Sequence, residues 1–343
     1  MFRLLRTLSP ACYHGHGEKP PFFEGWYFKL VTPGGERSLA VIPGVFLAPE
    51  EEHSQAFIQI FDGRSGSVTF HPYPLSEFHA VRSRKFDLHI GPNHFSSGYM
   101  FLDIQGEGRR VHGEIRMIGI TPWPVTLFSP GIMGWYAWMP FMQCYHGVVS
   151  LDHSLEGQLE VDGELIHFTN GRGYTEKDWG RAFPESWIWV QSNHFSETGT
   201  ALTASVATIP WIRGEFPGFI IGLWHQGKLY RFATYTGAHI RHLEIGEEKI
   251  RWIVEDRRRR LDIYIFRADK KGALRAPTST GMNRTIEESL EAQVGVHLVE
   301  RDRRGEERVI VSDLGYHAGF EAVGDLERLV ALWAADRKVN SKA

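Results

Sequence analysis

Strict alternation is the pattern that most constrains how this chain can fold. Leu290, Ala292, Val294, Val296 and Leu298 are separated one by one by Glu291, Gln293, Gly295 and His297. A period of two fits a half-buried strand and does not fit a helix face. Thr285 and Glu288 have the spacing of a helix capping box, but the alternation that follows outweighs it. Ile250, Trp252 and Val254 match Leu261, Ile263 and Ile265 across a charged turn at residues 256–260, which reads as a hairpin. Thr32-Pro33-Gly34-Gly35, Asp62-Gly63, Asp162-Gly163 and Gln226-Gly227 are further turn signals between apolar runs. Frequent turns and 36 glycines therefore predict an all-β fold of antiparallel barrel or sandwich units. The one predicted helix is C-terminal and short, with Leu326, Leu329, Val330 and Trp333 as its apolar stripe after Gly324 and Asp325.

A weak repeat divides the chain. Glu24-Gly25-Trp26 opens a hairpin that returns through Leu39 to Val45, and Glu185-Ser186-Trp187 opens another that returns through Ala201 to Pro210. Two copies of one unit are expected, residues 1–170 and 171–343, with the boundary at Asn170-Gly171. A length of 343 residues and 42% hydrophobic content allow each copy its own core.

Composition excludes several classes. A net charge of -3 leaves no footprint for nucleic acid, and the run from Arg257 to Arg260 reads as a solvated hairpin tip. Cys12 and Cys144 are too few for a disulfide framework and lack zinc-site spacing, so free thiols in a reducing compartment are expected. Residues 1–10 hold no apolar run long enough for a signal peptide, which makes the cytoplasm the expected location. Residues 117–151 contain no Asp, Glu, Lys or Arg, yet Pro122, Pro124, Pro130 and Pro140 break any run long enough to span a bilayer. That segment is expected to be buried or to line a pocket. Among the 17 histidines, the pairs His14/His16, His71/His79 and His239/His242 lack a third nearby ligand in sequence, so no metal site is expected. No dinucleotide fingerprint or GxSxG elbow is present either.

The densest chemistry lies in residues 173–195, GYTEKDWGRAFPESWIWVQSNHF, which carry three acids, a lysine, three tryptophans and an amide pair. This segment, FFEGWYFKL at residues 22–30 and SPGIMGWYAWMPFMQCYHGVVS at residues 129–150 together resemble the tocopherol cyclase family, with weaker similarity continuing to GYHAGFEAVG at residues 315–324. The resemblance implies two lipocalin-like barrels packed side by side, and acid-catalysed ring closure of a prenylated quinol or phenol without a cofactor. A proton adds to the less substituted alkene carbon, and the phenol oxygen captures the tertiary cation. This needs an acid, a dry pocket and electron-rich faces.

Glu176, Asp178 and Glu24 are the candidate acids, each close in sequence to Trp179 or Trp26, and Lys177 is placed to keep one of them ionised. Trp187, Trp189, Gln191 and Asn193 have odd-number spacing and share a strand face, which suits a ligand with a polar head and an apolar tail. Trp26, Tyr27, Gln143, Tyr145 and His146 are added as lining by the resemblance; family members often carry an acid where this chain has Gln143. The bland alternatives are a solvated salt-bridge cluster and a tryptophan-rich core. A carrier that only binds an isoprenoid, or a hydratase or pericyclic cyclase acting on a polyene, fits the same residues. The expected partner is a hydrophobic small molecule, with peripheral membrane contact for its uptake.

Overall fold

The computed structural model describes residues 6–340 apart from residues 107 and 213, and the side chains of 336–340 are outside the description. The expectation about a signal peptide thus falls partly on residues outside the described ones. The chain divides into two compact units. Unit 1 comprises residues 1–183 with 272–286, and unit 2 comprises residues 184–271 with 287–343. Asn170-Gly171, expected as the boundary, is a turn within unit 1, and the chain leaves that unit after Phe183.

The strands of unit 1 are β1 (Phe22–Val31), β2 (Ser38–Leu47), β3 (Gln55–Asp62), β4 (Val68–Pro74), β5 (Phe78–Ala80), β6 (Asp87–Ile90), β7 (Asn93–Ser96), β8 (Tyr99–Gly106), β9 (Arg109–Ile118), β10 (Cys144–Val161), β11 (Glu164–His167) and β12 (Arg172–Gly180). They form an antiparallel sheet in the order β4-β3-β2-β1-β12-β10-β9-β8-β7-β6-β5, with β11 on β10. Five ladder steps separate β1 from β7, roughly 24 Å in a flat sheet. Phe28 of β1 and Phe95 of β7 nevertheless have ring centroids 6.0 Å apart, so the sheet curls over one core. Trp26, Phe28, Leu30, Val41, Ile58, Leu102 and Leu159 fill that core.

The chain continues through β13 (Trp187–Ser192), β14 (Ala201–Trp211), β15 (Gly214–His225), β16 (Lys228–Ala233), β17 (His239–Ile245), β18 (Lys249–Glu255), β19 (Arg259–Phe266), β20 (Gly272–Ala276), β21 (Arg284–Arg301) and β22 (Glu307–Val323). The sheet of unit 2 runs β16-β15-β14-β13-β22-β21-β19-β18-β17. It curls as well, because the Arg259 guanidinium of β19 lies 5.2 Å from the ring of Phe232 on β16. The expected hairpin registers hold, with Ile250 opposite Ile265, Trp252 opposite Ile263 and Val254 opposite Leu261. The C-terminal helix Leu326–Asn340 follows, with Leu329 fully buried and the Trp333 indole donating to the Ile240 carbonyl.

The two sheets share one plan. A four-strand meander (β4 to β1, β16 to β13) meets the last strand of the fold (β12, β22), and then an 18-residue strand (β10, β21). The repeated hairpin therefore reflects a repeated topology, but the repeated motif is out of register. Trp26 enters the core of unit 1. In unit 2 the core takes Ile188 and Val190, which puts Trp187 on the opposite face of β13. A slip of one residue exchanges the faces of a strand.

Candidate active site

Strand alternation sorts the dense segment into two groups. On β12, Lys177 and Trp179 share one face, and Glu176 and Asp178 share the other. β1 lies antiparallel beside β12, with Trp26 opposite Lys177 and Glu24 opposite Trp179. Lys177 therefore meets Glu24 diagonally, and the pair has no exposed side-chain surface. Lys177 is thus the partner of Glu24 and not of its chain neighbours Glu176 and Asp178.

The buried pair clamps the N-terminal segment. The Lys177 ammonium donates to Glu24, to the Cys12 carbonyl (2.7 Å) and to His14 Nδ1 (3.1 Å). Glu24 accepts the His14 backbone N–H at 2.8 Å, and the Trp26 indole donates to the Ala11 carbonyl at 3.2 Å. The ammonium also sits 4.6 Å from the Trp26 ring and 4.7 Å from the Trp179 ring. Burial alone would raise the Glu24 carboxyl, but the Lys177 charge outweighs it and holds it below the usual carboxylate range. Burial lowers Lys177, with Glu24 opposing. Burial and the Lys177 charge lower His14, which is therefore neutral near pH 7.

The His14 tautomer follows from its neighbours. Nδ1 lies 3.1 Å from the Lys177 ammonium, which only donates, and 3.4 Å from Glu24 Oε1, which only accepts; the shorter contact favours Nδ1 as acceptor, with the ring proton on Nε2. That buried Nε2 has no hydrogen-bond partner among the described residues. The imidazole stacks on Trp179 with centroids 4.2 Å apart, and Tyr145 stacks on Trp179 at 5.4 Å.

The other face of β12 makes a second group. His146, opposite Asp178 on β10, has Nδ1 3.0 Å from the Asp178 carboxylate and Nε2 3.5 Å from Glu176. Tyr174 donates to Glu176. A ring with a carboxylate at each nitrogen can donate from both when protonated. Gly180 ends β12 at φ +148, and a Cβ there would lie 2.3 Å from the Gln143 carbonyl, so only glycine lets the strands close at this end.

A cavity of about 380 Å³ reaches the first group through His14, Trp179 and Tyr145 and the second through His146, whereas Glu24, Glu176, Lys177 and Asp178 are not in its lining; all of its lining comes from unit 1. Its wall includes His14, Phe22, Met142, Tyr145, His146 and Trp179. Of the residues expected to bind substrate, Trp179, Tyr145 and His146 line it. Trp26 is core and stacks on Phe86 at 5.1 Å, Tyr27 is half-buried on the opposite face of β1, and Gln143 donates its amide to the Phe183 carbonyl at 3.1 Å. Trp187, Trp189 and Gln191 share the face of β13 away from the core of unit 2, and Asn193 follows just beyond the strand. Those four are buried residues of unit 2 and do not line this cavity. His14 is the functional candidate that sequence reasoning passed over as half of a histidine pair. Nothing local marks it, since its role depends on crossing β1 and β12.

Two clusters have ligand atoms within 4.8 Å of one another, Asp87/His89/His94 and His146/Glu176/Asp178. The second joins strands 32 residues apart in sequence and leaves no local signal, whereas the first lies within residues 87–94, a short-range Asp-His-His spacing that reading the histidines in pairs misses. The uncharged segment also differs from expectation. Pro130, Ala137, Pro140 and Met142 line the cavity, but Leu127, Phe128, Trp135 and Phe141 are exposed. No helix among the described residues is long and apolar enough to cross a membrane.

Comparison with known proteins matches the geometry to a family. The tocopherol cyclase-like family matches residues 92–324. The probable chloroplastic tocopherol cyclase of Oryza sativa subsp. japonica is 27% identical over 334 residues, covering 80% of this chain and 69% of its own length. The chloroplastic tocopherol cyclase of Zea mays is 27% identical over 335 residues, covering 80% and 68%. Among solved structures, CghA aligns over 89% of both chains with a TM-score of 0.52 at 10% identity, and CghA with Sch210972 does so over the same shares with a TM-score of 0.51 at 10% identity. At that identity the structural likeness concerns the fold alone. With most of its length matched and both relatives aligned along four fifths of it, the chain belongs to the tocopherol cyclase-like family.

Proposed function

We propose that the protein closes a ring in a prenylated phenol or quinol by proton transfer within the unit 1 cavity. The observation that carries this reading is His146, which lines the cavity and touches both Asp178 and Glu176. A proton held by this group passes to the less substituted alkene carbon. The tertiary cation develops beside the Trp179 and Tyr145 rings, whose electron-rich faces favour positive charge. The phenol oxygen, seated in the cavity beside His14, bonds to the cation and returns its proton to the carboxylate group. No atom is gained or lost and the catalyst is regenerated.

Glu24 is a poor donor by comparison, because Lys177 and His14 favour its ionised form. Its part is to hold the Cys12–His14 wall through Lys177 and the His14 backbone. The cavity is near the small end for ligand sites, so it suits the head group and reacting alkene while a longer prenyl tail extends outward. Relatives named as tocopherol cyclases support the reaction class.

The test is to incubate purified protein with a panel of prenyl quinols and analyse products by mass spectrometry and NMR. Loss of the alkene at unchanged mass is expected. Addition of water would indicate a hydratase, and unchanged ligand recovered with the protein would indicate a carrier.

A further inference from the structure

The segment between β9 and β10 ends in a tight turn whose tip contradicts ordinary turn chemistry. Thr126 and Ser129 exchange backbone hydrogen bonds at 3.0 and 3.2 Å, and Val125 bridges Pro130, which leaves Leu127 and Phe128 as the two tip residues. Such positions favour Gly, Asn or Asp. Here they carry two large apolar side chains, 56% and 84% exposed. Trp135 and Phe141, from the same segment, are 41% and 52% exposed, and residues 117–151 contain no charged side chain. The turn is also held in place, since the Trp138 indole donates to the Leu127 carbonyl at 3.0 Å. Folding gains nothing from an ordered apolar tip in water, and exposed large apolar side chains gathered in one segment point to an interaction surface.

The surroundings are predominantly basic. Pro10 lies against Gly131, and the next residue, Ser9, accepts a hydrogen bond from Arg84 at 2.8 Å. Arg82, Arg84 and Lys85 form a short exposed basic run beside it. Arg6, Lys19 and Arg181 outnumber Glu18 among the charged residues that line the cavity, whose wall also includes Pro130, Ala137 and Pro140 of the uncharged segment. Apolar and aromatic tips with a basic run to one side match the two layers of an anionic bilayer surface, acyl chains within and phosphates outside.

We propose that Leu127 and Phe128, with Trp135 and Phe141, insert into the surface of an anionic lipid bilayer while Arg82, Arg84 and Lys85 meet its phosphates. The cavity wall then adjoins the membrane surface. A substrate that partitions into lipid can enter without crossing water, so docking serves uptake rather than chemistry.

The experiment uses the full chain and vesicles of phosphatidylcholine, with or without phosphatidylglycerol, read by flotation. Wild type is expected to float with the anionic vesicles and to be released by salt, because the electrostatic part is screened. Phe128→Asp should weaken partitioning by roughly tenfold to a hundredfold, the worth of burying one large apolar side chain. Arg84→Glu combined with Lys85→Glu should remove the preference for anionic lipid. Phe128→Asp should melt like wild type and turn over a detergent-solubilised prenyl quinol at the wild-type rate, so failure of docking is distinguishable from failure of the proposed reaction. Wild type that floats with neither vesicle would overturn the proposal, as would Phe128→Asp that floats as well as wild type. A wild-type dimer on gel filtration that Phe128→Asp dissociates would also overturn it, and would assign the patch to a second copy of the chain.

Discussion

The two units fill one place in the same strand plan with different chemistry. Where β1 meets β12, unit 1 buries Glu24, Lys177 and His14 among tryptophans. Where β13 meets β22, the interior of unit 2 takes Ile188, Val190, Ala318 and Phe320. The second unit shows that this curled sheet can be held by apolar packing at that place, so the ion pair of the first is not a requirement of the fold. Buried ion pairs seldom add stability over apolar residues of similar volume, which points to a role in positioning. Here the pair ties down the segment that brings His14 to the cavity wall, through the Cys12 carbonyl and His14.

The largest expected effect tests that difference by breaking the pair. Lys177→Met leaves Glu24 charged and fully buried, and should cost roughly 3–5 kcal/mol. Glu24→Gln combined with Lys177→Met should cost less than half as much, since no uncompensated charge remains. Denaturant unfolding of the single and double variants measures this. Equal losses would mean that the pair is an integral part of the fold and that the contrast with unit 2 is superficial.

Next in size is the loss of chemistry without loss of structure. His146→Gln should slow single turnover by about 100-fold, as for removal of a general acid or base, with little change in melting temperature. A large fall in melting temperature with rate and binding weakened together would give His146 a structural role.

The smallest effect concerns acid. Burial, with help from the Arg172 charge, pushes His153 of unit 1 down to about 3, and burial also lowers His14. The unfolded chain takes up these protons near the ordinary histidine value, whereas the native state resists. Stability is therefore full above about pH 6.5 and falls as pH drops towards 3, by about 1.4 kcal/mol per pH unit for His153. At pH 5 the loss is about 2 kcal/mol. Hydrogen exchange resolved by peptide should show unit 1 loosening before unit 2, and His153→Gln should flatten the dependence. Earlier loosening of unit 2 would reverse the comparison.

Much of the fold was legible because alternation and turns are local. The β18–β19 and β21 strands follow from a period of two that needs no tertiary knowledge. Alternation also holds a further fact, that Lys177 and Trp179 lie on the face away from Glu176 and Asp178. The candidate site was legible only in its residue types. The contact of His146 with Asp178 depends on the register between strands 32 residues apart, and that of His14 with Lys177 on a crossing 163 residues long. The Glu-Gly-Trp and Glu-Ser-Trp motifs are an instructive near miss, since the topology repeats while the motif itself is shifted by one residue and presents its tryptophan to opposite faces. The uncharged segment reads as buried or pocket-lining because it is apolar; Pro130, Ala137, Pro140 and Met142 do line the cavity, but its turn tip is exposed.

The central claim is that the cavity of unit 1 delivers a proton to carbon through His146 and its carboxylates. It is tested most directly by single turnover of a prenyl quinol in deuterated water, with wild type beside Asp178→Asn and His146→Gln. The account predicts a cyclised product from wild type carrying one deuterium that does not exchange, at the alkene carbon that received it. It also predicts roughly 100-fold slower labelling in both variants, with ligand affinity retained. A cyclised product without deuterium on carbon, or variants that label at the wild-type rate, would contradict it.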